Sequence, residues 1–312
     1  QGPSADLGDT IEQSLRFKDA TNLGLERTQG TPTNQILFTF SAWVKRSGNL
    51  SSGNPTILYA DSDSFNLGTL RFWDQGIRFY NLVSGSANAS YGTRSSGSGT
   101  VYRDPAAWYH IVFIYDSANA TADDRLRLHI NGARVSWSDD GSGGAPAQNQ
   151  TTYFNTSGND IYIGNYSGTT DSLAGYMAEA YFIDGQALDP TDFGRYNEDG
   201  VWVPQDYTGT YGTNGFHLTF DSSQTNGIGH DSSGNGNHFT ASGFQTTSTH
   251  ENYDLDYNDT PTSNYSTLNA LKTTTPVGRY PFDANLTIDG GSDESNWQSI
   301  PGTCAQNSGK RF

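Results

Sequence analysis

Cysteine and methionine are almost missing from this 312-residue chain, which has one of each, Cys304 and Met177. One cysteine rules out an intrachain disulfide, and a secreted eukaryotic β-protein of this size usually carries a bridge. The chain is therefore expected to fold in a reducing cytoplasm and to become extracellular later by another route. Basic residues are also scarce, 17 Lys and Arg against 33 Asp and Glu, for a formal net charge of -16. Phosphate binding needs clustered cations, and adjacent basic residues occur in nothing longer than a pair such as Lys45-Arg46, which argues against nucleic acid as a partner. No apolar run approaches the length of a membrane span and no signal peptide is recognisable, which argues against membrane insertion. HExxH, GxSxG and P-loop patterns are absent, and no motif supplies a base for Cys304.

Glutamate is confined to Glu12, Glu26, Glu179, Glu198, Glu251 and Glu294, so the acid is nearly all aspartate. Asp belongs in turns, and a solvated surface of Asx-turns accounts for most of it. Clustered Asp also suits calcium, a hard cation that takes oxygen ligands, although no twelve-residue EF-hand loop is present. Sequons such as Asn49, Asn88 and Asn165 are expected by chance in a chain so rich in Asn, Ser and Thr. The opening Gln1-Gly2-Pro3-Ser4 reads as a protease-site scar or a native processed end.

Only 33% of residues are hydrophobic and mean hydropathy is -0.64, yet 13% are aromatic. Few but bulky core residues suit a sheet protein with many loops. In Leu37 to Arg46, Phe38, Phe40, Ala42 and Val44 share one side of an extended strand, with Thr39, Ser41 and Lys45 on the other. That period of two marks a half-buried strand, with Trp43 as a ring on the polar side, to plug a curved sheet or meet a ligand. Similar patterns predict strands at Ser14 to Phe17, Thr56 to Ala60, Thr69 to Trp73, Gly76 to Leu82, Ile161 to Gly164 and Gly175 to Ile183. Trp108 to Tyr115 is apolar on both faces and should be central. Arg125 to Ile130 alternates and ends at Asn131-Gly132, the strongest short hairpin signal. Residues after Phe17 through Gly30 and from Ser84 to Thr100 read as loops, and Asp189-Pro190 predicts a short helix through about Tyr196. The fold class is all-β, an antiparallel β-sandwich.

The order FTFSAWVKR, AWYHIVFIYD, LRLHINGARV, IYIGNY and GYMAEAYFIDGQAL resembles the laminin-G-like, concanavalin-A-like jelly rolls related to pentraxins. More narrowly, RDPAAWYHIV, EAYFIDGQALDPTDFGRY, VWVPQDYTGTYGTNGFHLTF and DSSGNGNHF resemble a group of large tailed-bacteriophage virion proteins, from about Thr10 to Lys310. The resemblance implies an N-terminal tail over 1–10, a jelly roll over 11–200, and a loop-rich C-terminal extension over 201–312. The extension would add edge strands and an arm lying along the sandwich or along a neighbouring subunit. In many relatives the equivalent of Asn307 to Lys310 continues into a further β-domain, which is expected to be absent or cut away here. The implied role is a non-enzymatic virion component, a tail fibre or spike exposed on the particle surface. Its implied partners are a host-surface glycan, other virion proteins and copies of itself, a trimer being favoured. A purely architectural decoration or fibre-scaffold subunit is the alternative, and a bacterial surface lectin-like module is a third.

Concanavalin-A-like folds include glucanases, which need paired carboxylates. Their usual Glu-x-Asp-x-x-Glu strand pattern does not occur, and Glu179 is expected to be an exposed strand residue. Relatives often bind calcium through loop oxygens, and the candidates are Asp61 with Asp63, Asp123 with Asp124, and Asp221 with Asp231. His230 and His238 flank a Gly/Asn loop and are expected to be solvated rather than metal-bound. Candidate sugar-stacking rings are Trp43, Trp73, Tyr91, Tyr102, Trp137 and Tyr166, at least half of which should be structural.

Overall fold

The structure is a computed structural model that describes residues 6–18, 22–47, 54–73, 75–95, 98–166, 171–246 and 254–264. Cys304, Trp297 and the rest of 265–312 lie outside the described residues. Strands in the first part are β1 (Leu15–Phe17), β2 (Gly24–Thr28), β3 (Leu37–Arg46), β4 (Thr56–Asp63), β5 (Asn66–Trp73), β6 (Gly76–Val83) and β7 (Ser86–Gly92). The short pair β8 (Arg94–Ser95) and β9 (Ser98–Gly99) precedes β10 (Trp108–Asp116), β11 (Leu126–Ile130), β12 (Ala133–Arg134), β13 (Ser138–Gly144) and β14 (Asp160–Ile163). Then follow β15 (Gly175–Asp184), β16 (Gly194–Tyr196), β17 (Trp202–Pro204), β18 (Phe216–Leu218) and β19 (Thr240–Ser242).

These form two antiparallel sheets, a seven-stranded one ordered β1-β15-β3-β10-β11-β12 with β18 beside β15, and an eight-stranded one ordered β13-β7-β6-β5-β4-β14-β2-β19. Between them lies an aromatic core. Phe38 stacks on Tyr115 at 5.3 Å and on Phe182 at 5.1 Å, and Phe79 on Phe113 at 5.2 Å. Each such ring contributes on the order of 1.5–3 kcal/mol by leaving water, so few hydrophobic residues suffice. β10 is central, paired with β3 and β11, and the turn after β11 places Asn131 and Gly132 at φ of 50° and 80°. Both residues are left-handed, as a two-residue hairpin turn requires.

The outer side of the seven-stranded sheet is not left to solvent. Trp43, Trp108, Tyr176, Ala178 and Trp202 form a second cluster there with Ile11, and Tyr257 packs against it. Further along, Phe193 and Tyr207 cover Tyr181 and Ile183. Residues 254–264 are tied down by buried ion pairs, Arg16 to Asp254 at 2.9 Å and Lys45 to Asp259 at 2.8 Å.

Several sequence expectations need correction. The stretch before Gly30 contains β2, and the stretch after Ser84 contains β7. No α-helix forms at Asp189: a single 3-10 turn, Pro190–Asp192, is followed directly by β16. Phe193 packs on Tyr181 and Tyr207 directly after the turn, and Gly194 runs so close to the Trp202 indole that an added Cβ would meet that ring at 2.6 Å. Glu179 is half-hidden rather than an exposed strand residue. It sits at the bulge between Ala178 and Tyr181 with φ 48°, and its carboxylate takes hydrogen bonds from the Tyr181 hydroxyl and pairs with His217.

Candidate functional site

The outer side of the eight-stranded sheet presents a set of aromatic and charged side chains brought together by strand register. Alternation puts Leu58, Ala60, Leu70, Phe72, Ile77, Phe79, Ile161 and Ile163 into the core, so their neighbours point outward. Strand register then assembles a transverse row. Glu26 stands opposite Tyr162, Tyr162 opposite Tyr59, Tyr59 opposite Thr69, Thr69 opposite Tyr80, and Tyr80 opposite Ser90. At about 4.8 Å per strand the row runs ~24 Å across the sheet. Tyr166, from the loop after β14, leans over Tyr59 at 4.2 Å. Tyr59, Thr69 and Ser90 form the buried floor, while Tyr80, Tyr162 and Tyr166 remain partly open.

Charge is sorted on either side of this row. On one side Arg71 faces Arg78 directly across the strand pair. Like charges in that position repel, and stacking holds them: Arg71 lies 4.8 Å from the Tyr80 ring, and Arg78 4.8 Å from Trp73 and 4.9 Å from Tyr80. Arg78 also donates to Ser90 Oγ at 3.2 Å. On the other side Asp61 faces Asp160, with Glu26 diagonal to Asp160. Burial, then the Asp160 charge, raises the Glu26 carboxyl above its usual pKa, with the nearby Asp61 adding to the effect. Tyr59 donates to Asp61 at 3.0 Å, and Thr28 to Asp160 at 2.7 Å.

Of the six candidate rings, the fold brings Trp73 and Tyr166 to this face. Trp43 and Tyr102 are each 5% exposed and Tyr91 is 8% exposed, and none of the three reaches a surface that a sugar can cover. Trp43 stacks on His110 at 4.7 Å, and His110 is pinned between Trp202 Nε1, which donates to Nδ1 at 2.9 Å, and Ser41 Oγ at 2.8 Å from Nε2. Its pKa is pushed down to about 3 by burial, so the ring is neutral. Tyr102 meets Tyr109 edge-on, and Trp137 packs edge-on against Tyr91 and Phe113 from a half-buried position.

The aspartate pairs serve local backbone instead of converging. Asp63 accepts from the Phe65 N–H and the Asn66 side chain, and Asp124 pairs with Arg134. Asp221 caps its own turn through Ser223 and Gln224. Asp231 accepts from the backbone N–H of His217, Ser233 and Asn237. His230 and His238 lie against one another at 4.9 Å, and His238 Nδ1 accepts the Asp231 N–H. Among the described residues no three carboxylate, imidazole or thiol groups come together to hold a metal ion.

The comparisons agree with this architecture. A model of the concanavalin A-like lectin/glucanases superfamily matches residues 21–192, and the chain belongs to that superfamily. A search of curated proteins found no match. Among solved structures, the chain is similar to the SAP-like pentraxin of Limulus polyphemus, at 14% identity over 57% of this chain and 79% of that one, with a TM-score of 0.38. It is similar to domain 4 of AbnA, an extracellular arabinanase of Geobacillus stearothermophilus solved with arabinotriose (17% identity, 57% and 73% coverage, TM-score 0.39). The mouse laminin α1 chain domains LG4-5 match at 12% identity over 60% of this chain and 45% of that one, with a TM-score of 0.38.

Proposed function

We propose that this chain is a carbohydrate-binding module and that the tyrosine row on the outer side of the eight-stranded sheet is its binding face. The observation that carries the reading is the row itself, partly open rings flanked by arginines on one side and carboxylates on the other. Rings offer apolar faces to sugar C–H groups, and fixed polar groups beside them select hydroxyl geometry. The motifs that resemble tailed-phage virion proteins support a reading of such a module as part of a tail fibre or spike, where several copies would strengthen a shallow contact. The test is a glycan microarray probed with labelled protein, alongside Tyr80→Ala and Arg71→Ala variants. Loss of a saturable signal in both, with cooperative unfolding retained, supports the face. Equal binding by both removes it.

A second reading, glycoside hydrolysis, is favoured by one observation, the raised pKa of Glu26 beside Asp160. Release of reducing ends from a bound polysaccharide, lost in Glu26→Gln, would replace the binding-only reading. Binding without turnover would retain it.

A further inference from the structure

One lysine is buried far from the sugar-binding face. Lys45, at the end of β3, has no exposed surface, and its cross-strand neighbours are Trp108 on β10 and Tyr176 on β15. Its Nζ lies 2.8 Å from Asp259 Oδ2, 3.2 Å from Asp259 Oδ1 and 2.8 Å from Asn264 Oδ1. Asp259 is fixed from the other side by Trp108 Nε1, which donates to Oδ1 at 3.2 Å. Asn264 is oriented as well, since its Nδ2 donates to the Ala106 carbonyl at 2.8 Å, which turns Oδ1 toward the lysine. The turn that carries it is held by reciprocal backbone bonds between Thr260 and Ser263 at 3.1 and 3.2 Å.

A structural ion pair needs only Lys45 and Asp259. The third group is an amide, which makes the trio an amine, a carboxylate and an acyl donor, with Lys45 and Asp259 buried beside the Trp108 and Tyr176 rings and Asn264 at the surface. The amide carbon lies one C=O bond, about 1.2 Å, beyond the oxygen already in contact with Nζ. A rotation of the Asn264 side chain therefore suffices to bring it to an attack distance of about 3–3.5 Å. We propose that Lys45 and Asn264 become joined by an intramolecular isopeptide bond, with Asp259 as the acid–base residue.

The step balances without any co-reactant. Asp259 takes one proton from the Lys45 ammonium, and the freed lone pair attacks Asn264 Cγ, forming the C–N bond as the carbonyl electrons move to Oδ1. The tetrahedral centre collapses, the Cγ–Nδ2 bond breaks, and the nitrogen takes its proton from Asp259 and a second from the attacking nitrogen. The amide nitrogen thus departs as ammonium and Asp259 is returned as carboxylate. Exposure of Asn264 gives the leaving group a path to water. The product would tie residue 264 covalently to β3 across 219 positions of chain.

The readout is the branched peptide, because cyclisation of an N-terminal glutamine also releases ammonia and total mass alone does not separate the two. Purified protein is denatured, digested and sequenced by tandem mass spectrometry. The expected result is a Lys45–Asn264 linked peptide in the wild type, its absence in Asn264→Ala, and at least a hundredfold slower appearance in Asp259→Ala. Asn264 is exposed, so Asn264→Ala supplies a folded control whatever the Asp259 variant does. Recovery of Lys45 and Asn264 only in separate linear peptides from the aged wild type overturns the proposal. Undiminished linkage in a folded Asp259→Ala overturns the role of the aspartate.

Discussion

Removing the Asp184 carboxylate is expected to cost about 3–6 kcal/mol at neutral pH, and the cost should fade in acid. Asp184 closes β15 and is 1% exposed. Its Oδ2 accepts from the Thr33 N–H at 2.6 Å, the Asn214 N–H at 3.0 Å and the Thr213 hydroxyl at 3.2 Å. Its Oδ1 accepts from the Asn34 N–H at 3.1 Å and Asn155 Nδ2 at 2.7 Å. In Asp184→Ala the donors at Thr33, Asn34 and Thr213 sit near solvent and find water, whereas those of Asn214 and Asn155 are buried. Two buried donors stripped of a charged acceptor, at about 1.5–3 kcal/mol each, set the magnitude. Burial alone would raise the Asp184 pKa, but the hydrogen bonds outweigh it and leave the group below its ordinary value of 3.8. A carboxyl depressed in the folded state stabilises above its unfolded pKa and loses that contribution as pH falls through the folded value. Urea unfolding of both proteins at pH 7 and near pH 3 reads this directly, because midpoints shift while slopes stay constant. A loss under about 1 kcal/mol at pH 7, or a gap that stays the same in acid, would refute the reasoning.

Two further outcomes follow from the same geometry. His110 is neutral and buried with a pKa near 3, so the unfolded chain binds a proton that the folded one refuses as pH drops below about 6.5. Stability should fall by about 2 kcal/mol between pH 7 and pH 5 from this group, and urea midpoints that stay level across that window would contradict it. Trp43→Ala empties a site packed by His110, and unfolding should show a loss of about 3–5 kcal/mol with glycan binding unchanged below the transition. A stable variant that has lost binding would move Trp43 to the functional face.

The strands that face one sheet's core with clean alternation were legible in the sequence. Leu37 to Arg46 and Leu126 to Ile130 read correctly as strands because alternate positions from Phe38 to Val44 and from Leu126 to Ile130 carry apolar side chains, although the polar side of Leu37 to Arg46 is buried rather than solvated. β2 was not, because Arg27 sits among its apolar positions and bonds to Asn214 and Asn237 rather than to solvent. β7 was hidden by small polar residues, with only Ala89 and Tyr91 reaching the core. The helix signal at Asp189-Pro190 marked a true turn, and packing of Phe193 on Tyr181 and Tyr207 ended it. The candidate site was legible only in part. Trp73 and Tyr166 stood out as rings in polar company, but Tyr59, Tyr80, Tyr162, Arg71 and Arg78 form a face only through register. Glu26 and Tyr162 are direct neighbours across a strand pair although 136 positions separate them, a relation that local periodicity does not carry.

The most direct test of the binding face is a titration of the wild type and Tyr80→Ala with the glycan selected on the microarray, followed by calorimetry. Tyr80 is a partly open ring of the row, in cross-strand register with Thr69 and Ser90 and stacked under both arginines. Loss of its ring should weaken affinity at least tenfold, about 1.4 kcal/mol, in a variant that still unfolds in one cooperative transition above the assay temperature. Equal affinity in the folded variant would contradict the assignment of this face.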